Sequence, residues 1–232
     1  AVIMIRQIFS ENGIFLSDEQ AEKFLTYEKL LTEYNKKFNL TSITDSYGIY
    51  VKHFLDSVKG ANLFNNGDRI IEIGSGGGFP SVPLKIFNPE LNFTLVEATG
   101  KKCVFLNEVK RVLGFDKFEI INARCEDLAK KQGFRENFDK VTARAVAPMS
   151  ALCEYCLPFL KTGGEFIAYK SGEQQELSEA ERAGKILGGT IKKIIPYSLP
   201  QDINRAFIII EKIFPTDKKY PRGQGKERSK PL

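Results

Sequence analysis

Arg69-Ile70-Ile71-Glu72-Ile73-Gly74-Ser75-Gly76-Gly77-Gly78-Phe79-Pro80 is the stretch on which the fold of this 232-residue chain turns. A β-branched run breaks into four glycines within five residues, and a helix-compatible segment follows. Such a strand feeds a loop without side chains, where a ligand can lie against bare backbone. A dinucleotide-binding turn wants glycines at its first, third and sixth positions, but the sixth position counted from Gly74 is Phe79. The spacing is Glu-x-Gly-x-Gly-x-Gly instead, on Glu72, Gly74, Gly76 and Gly78. A glycine-rich turn with no ligand is the plain alternative, and the strand in front of it argues for a site.

Outward from this loop the chain alternates. Strand-like runs fall at 69–73, 92–96, 118–122, 138–142, 164–169, 191–195 and 206–211. Helical segments at Lys101–Leu113, Glu126–Lys131, Ala147–Leu160 and Glu173–Leu187 separate most of them. That rhythm predicts an α/β domain with a mostly parallel sheet covered on both faces. Only Pro196 to Asn204 lies between the last two strands, so a hairpin there should put one antiparallel strand into the sheet. Before residue 69 the pattern is helical. Ser17 with Gln20 makes a capping box, and Phe24, Tyr27, Leu31, Tyr34 and Phe38 mark one face, read here as core. The expected division is an N-terminal helical extension over 1–62, a Rossmann-like domain over 63–212 and a basic, flexible tail over 213–232.

Composition narrows the class. At 42% hydrophobic residues the chain can bury a full core, and no apolar run approaches the roughly 20 residues of a membrane span. Ala1–Ile5 is too short for a secretory signal. Four scattered cysteines do not make a disulfide framework, which predicts a cytoplasmic protein away from membranes. The net charge of +5 is concentrated. From Lys212 to Leu232 there are seven bases and two acids, and removing these from 34 bases and 29 acids leaves 27 of each. Lys218, Lys219, Arg222, Lys226 and Arg228 therefore form either a solvated terminus or an arm that neutralises nucleic-acid phosphates.

In a doubly wound sheet, ligands sit beyond the carboxyl ends of the strands. The second strand ends at Glu97, 23 residues after Gly74, where a carboxylate can accept hydrogen bonds from both ribose hydroxyls. The third ends in Asn122-Ala123-Arg124-Cys125-Glu126-Asp127. An acid in that turn can receive the exocyclic amino group of adenine, with helix capping by Glu126 or Asp127 as the competing role. The fourth runs into Ala143-Arg144-Ala145-Val146-Ala147-Pro148, where Arg144 is the only charged group. Lys170, at the end of the fifth, stands near the rim, as an RNA contact or as a solvated lysine. His53 is the only histidine, so multi-histidine metal sites are excluded, and its helical context predicts packing or hydrogen bonding. Cys153 and Cys156 read as two buried helical thiols, with no second ligand pair and no metal expected.

The glycine loop with its preceding acid resembles that of class I S-adenosylmethionine-dependent methyltransferases, with a seven-stranded sheet whose last strand is antiparallel. Enzymes of this class that methylate exocyclic amino groups place Asn or Asp before two prolines after the fourth strand, and cytosine C5 enzymes need a cysteine. Neither is present here. Guanine N7 carries a lone pair and no proton, so its methylation needs no general base, and an arginine holding guanine O6 or a phosphate suits the task.

The resemblance becomes closer with Asn39-Leu40-Thr41-Ser42, His53-Phe54-Leu55-Asp56-Ser57, Thr142-Ala143-Arg144-Ala145 and Lys219-Tyr220-Pro221-Arg222. With the glycine loop, these are similar to the 16S ribosomal RNA N7-guanine methyltransferases of the glucose-inhibited division B family. The resemblance implies that Gly74, Phe79, the Cys125-Glu126 pair and Arg144 contact S-adenosylmethionine, with Glu97 at the ribose. It implies one guanine in the 530 loop as target, on 16S rRNA or on a small ribosomal subunit or assembly intermediate; separately, a monomer is expected. Glu72 and Glu97 depart from the aspartates common in that family. The rival readings are a methyltransferase for a small molecule or protein, and a non-catalytic RNA-binding or ribosome-assembly factor.

Overall fold

A computed structural model gives the fold and describes residues 1–144 and 147–232; Ala145 and Val146, in the junction after the fourth strand, lie outside it. Among the described residues, seven strands form one sheet: β1 (Arg69–Ile73), β2 (Asn92–Glu97), β3 (Phe118–Asn122), β4 (Phe138–Arg144), β5 (Leu160–Lys170), β6 (Gly189–Leu199) and β7 (Ile203–Lys212). Their order is β3-β2-β1-β4-β5-β7-β6. The first five run parallel, and β7 pairs antiparallel with both β5 and β6. The order reverses between β1 and β4, so the crevice for a ligand opens above these two strands. The β6–β7 hairpin is tighter than 196–204 suggests, because Pro196 is a paired residue of β6 opposite Ala206. An edge strand tolerates proline, which lacks only a donor there.

Helices α1 (Val2–Glu11) and α2 (Asp18–Phe38) open the chain. The capping box at Ser17 and Gln20 forms, and Asn39 in a left-handed conformation (φ 50°) ends α2. A continuous helical run follows, from α3 (Ser46–Gly48) through a π-helical segment (Ile49–Leu55) to α4 (Asp56–Val58). Helix α5 (Ser81–Phe87) leaves the glycine loop, and α6 (Gly100–Leu113), α7 (Cys125–Leu128), α8 (Met149–Cys156) and α9 (Gln174–Leu187) connect the strands. Last comes α10 (Lys226–Ser229).

Alternation along β1 divides the interior. Ile70 joins a cluster with Phe9, Phe24, Tyr27, Leu31 and Phe54, so the N-terminal extension shares a core with one sheet face. Ile71 and Ile73 point the other way, into a cluster with α8 and α9 that includes Tyr220.

The structure corrects the expectation of a flexible tail. Thr216, Tyr220 and Glu227 are buried, and the Arg135 guanidinium donates to the carbonyls of Thr216, Asp217 and Tyr220. Composition misleads here because the anchors are supplied by the body: Glu154, fully buried on α8, accepts from the Arg222 backbone and guanidinium.

Candidate functional site

Above the carboxyl ends of β1 to β4 lies a cavity of about 590 Å³, within the roughly 300–1,000 Å³ typical of small-molecule sites. Parallel register brings its parts level. Ile73 lies opposite Val96, and Glu97 opposite Asn122. Gly74 and Gly76 adopt φ values of 67° and 54°, which a side chain resists. A Cβ on Gly76 would meet nothing nearer than 3.9 Å, so this residue faces open space. The loop's amides are largely committed. Gly74 and Ser75 donate to the Val96 carbonyl, Gly78 to Ser75, and Gly76 to a Glu97 carboxylate oxygen at 3.0 Å. Amides spent within the protein cannot converge on a phosphate, which suits a ligand needing room rather than donors.

Glu97 ends β2 with its second oxygen accepting from Thr99 N at 3.1 Å. A carboxylate has about four acceptor sites, so two are left for a vicinal diol. Cys125 and Glu126 line the cavity at the end of β3. No side chain caps α7, so Glu126 is not a cap; its carboxylate lies 3.4 Å from Cys125 Sγ. Burial, with Glu126 beside it, holds that thiol far above its usual range, as a neutral group.

Arg144, at the end of β4, is held by three partners. One guanidinium nitrogen donates to the Lys52 carbonyl at 2.8 Å and to Asp56 at 3.2 Å. The other lies 2.7 Å from His53 Nδ1. Arginine only donates, so Nδ1 accepts and Nε2 carries the hydrogen toward Thr41 Oγ1 at 2.7 Å. Phe79 backs the pair: His53 stacks on it at 4.2 Å, and the guanidinium sits 4.8 Å above the ring. Burial first, then the Arg144 charge, push the His53 imidazole down to about 3. It is a neutral acceptor at physiological pH.

Gly74, Gly76, Phe79, Glu97, Cys125, Glu126 and Arg144 thus meet around one cavity. Two expected cofactor residues do not. Glu72 is fully buried beneath the loop, accepting from Ser81 N and Oγ at 2.8 and 2.6 Å. Gly78 is a packing glycine, where a Cβ would stand 2.6 Å from Val82. Among the expected RNA contacts, Lys170 donates to the Ala147 carbonyl and lies 3.7 Å from Glu176, and Arg222 is committed to Glu154. Lys218, Lys219, Lys226 and Arg228 are exposed. Sequence reasoning missed Lys102, Tyr155, Gly225 and the cavity side of Arg228. Lys102 was legible, since it lies in the first turn after β2. Tyr155 and the tail residues carried no local signal.

Solved structures share this architecture. M. jannaschii TYW2 in complex with AdoMet matches with TM-score 0.55 and 13% identity, over 74% of this chain and 80% of that one. A mutant of MtNAS in complex with S-adenosylmethionine matches with TM-score 0.57 and 17% identity, over 92% and 78%. The sheet order, the open glycine cradle and the acid at the end of β2 give this chain the Rossmann-like fold of S-adenosylmethionine-dependent methyltransferases. Residues 20–202 match the family model GidB, rRNA small subunit methyltransferase G. The ribosomal RNA small subunit methyltransferase G of Lactobacillus johnsonii is 44% identical over 226 residues, covering 95% of both chains. That of Staphylococcus haemolyticus is 46% identical over 227 residues, covering 96% of this chain and 94% of the relative. The chain belongs to the GidB family.

Proposed function

We propose that this protein methylates N7 of a guanine in the 530 loop of 16S rRNA, acting as a cytoplasmic monomer on the RNA, the small subunit or an assembly intermediate. Membership of the small-subunit rRNA methyltransferase family supports such an RNA as substrate. The choice of atom rests on one observation: among the described residues lining the cavity, the end of β4 contributes the Arg144 guanidinium, while the carboxylates, Glu97 and Glu126, lie at the ends of β2 and β3. Arg144 cannot act as a base, and its neighbour His53, held near 3, already accepts from it. An amino or hydroxyl acceptor loses a proton on methylation; guanine N7 has none to lose.

S-adenosylmethionine, when bound, supplies an electrophilic methyl group on a sulfonium. The protein's part is placement, worth about 7–11 kcal/mol of barrier when reactants are held in line. Glu97 would hold the ribose, Cys125 and Glu126 the adenine edge, and Gly74, Gly76 and Phe79 the methionine end. Arg144 retains N–H groups beyond those given to Lys52, Asp56 and His53, and these suit guanine O6 or a flanking phosphate. The exposed lysines of the C-terminal segment are the proposed phosphate contacts.

The test uses tritiated S-adenosylmethionine with undermodified small subunits and with naked 16S RNA, followed by nucleoside analysis. Label in 7-methylguanosine is the expected result. Label in any other nucleoside rejects the chemistry, and label that ignores RNA returns the small-molecule or protein reading.

A further inference from the structure

We infer that the C-terminal segment Gly223–Ser229 is a wall of the methyl-donor site, with Arg228 bearing on the adenosine half of the bound molecule. This rests on the methyl-donor reading of the cavity. Leu40 and Phe79 line that cavity. Gly225 and Arg228 line it together with Cys125, Glu126 and Tyr155, and α10 packs on α8, the helix that carries Tyr155. Strand order fixes which half of a nucleoside this is. Glu97 closes β2 at the proposed ribose position, and β3, whose end carries Cys125 and Glu126, lies outside it. A base attached to that ribose reaches the end of β3, and the tail stands there.

The segment is built to hold a position. Gly223, Gln224 and Gly225 have φ values of 77°, 56° and 73°, three successive left-handed residues that fold the chain back sharply. The returning helix places Glu227 to accept from Gly223 N, fully buried. Just before the turn, Arg222 makes three bonds to fully buried Glu154, at 2.8, 3.0 and 2.8 Å. Two buried carboxylates are costly, and a solvated arm has no use for them. They fix where Gly225 and Arg228 face the cavity. A Cβ on Gly225 would meet nothing within 4 Å, so its backbone borders open space. Burial raises the pKa of the Tyr155 hydroxyl, another cavity residue, and the Arg228 guanidinium standing near it opposes that larger upward push. A planar guanidinium beside a tyrosine matches a purine, with a π-face to stack on and ring nitrogens to accept.

The experiment is calorimetric titration of the full chain and of R228A with S-adenosylhomocysteine and with 5′-methylthioadenosine, which lacks the amino-acid half. Both ligands should bind R228A at least tenfold more weakly, by a similar factor. Binding within twofold of the parent protein overturns the proposal, and so does a loss confined to S-adenosylhomocysteine. Hydrogen exchange of the unaltered protein gives a second reading that does not depend on the variant folding. Amides of residues 223–229 should gain protection when S-adenosylhomocysteine is added, and unchanged exchange there overturns the proposal. Failure of the parent protein to bind either ligand is a distinct outcome, which removes the methyl-donor reading and this inference with it.

Discussion

Glu72 reads in the sequence as a ligand contact because it precedes the glycines, but a strand's alternation decides its direction. Ile71 and Ile73 face the α8–α9 side, so Glu72 turns toward the N-terminal extension and under the loop. Its role is to clamp Ser81 at the start of α5. Burial raises its carboxyl to about 7 from 4.5, with the Ser81 and Ser75 hydrogen bonds opposing. The folded state therefore keeps a proton that the unfolded chain releases above pH 4.5. The stability this represents is whole below about 4.5 and is lost as pH rises through 7. In E72Q an amide oxygen can accept from Ser81 N while its nitrogen donates to Ser81 Oγ. Urea unfolding should show E72Q gaining about 2–3 kcal/mol on the parent protein between pH 5 and pH 8. A pH-independent difference would reject the buried, protonated carboxyl. His53 shows the other limit of residue-level reading: packing was predictable, but support of Arg144 depends on residues 91 positions apart coming together.

At the level of elements, the strands were legible and their connections partly so. Periodicity locates all seven strands, because buried parallel strands are dense in β-branched residues between turn signals. It stops short on β5, which reaches back to Leu160, and on β6, where Pro196 reads as a break. The π-helical run over Ile49–Leu55 has no signature, since such segments arise from packing rather than propensity. The C-terminal segment misleads for a related reason. Its composition is that of a disordered arm, but its structure follows from partners in the body, Glu154 and Arg135. R222A should destabilise the protein by about 3 kcal/mol, the low end for breaking a buried pair, because the Arg222 side chain is 23% exposed while that of Glu154 is fully buried. Thermal or denaturant unfolding checks this, and a loss below about 0.5 kcal/mol would mean the tail is held by other contacts.

At the scale of the molecule, the N-terminal extension, through Leu40, and the C-terminal segment, through Gly225 and Arg228, both reach the cavity. They pack on opposite faces of the sheet, and neither placement could be read from local sequence. The charge excess remains at the C-terminal side, with Lys218, Lys219 and Lys226 exposed. Replacing these three with glutamine should weaken RNA binding without unfolding the enzyme. The slope of log affinity against log salt should fall by about 0.7 for each phosphate that is no longer neutralised. An unchanged slope would confine these lysines to solvation.

The Arg222–Glu154 bond also imposes an order on biosynthesis. Its two partners are 68 residues apart, so at about 5–20 residues per second a ribosome delivers the arginine roughly 3–14 s after the acid. For that interval the nascent sheet carries a lone carboxylate in what will become its interior. A frameshift or stop codon that spares the glycine loop but removes Arg222 leaves it stranded for good, and such an allele should fail through turnover of a misassembled chain.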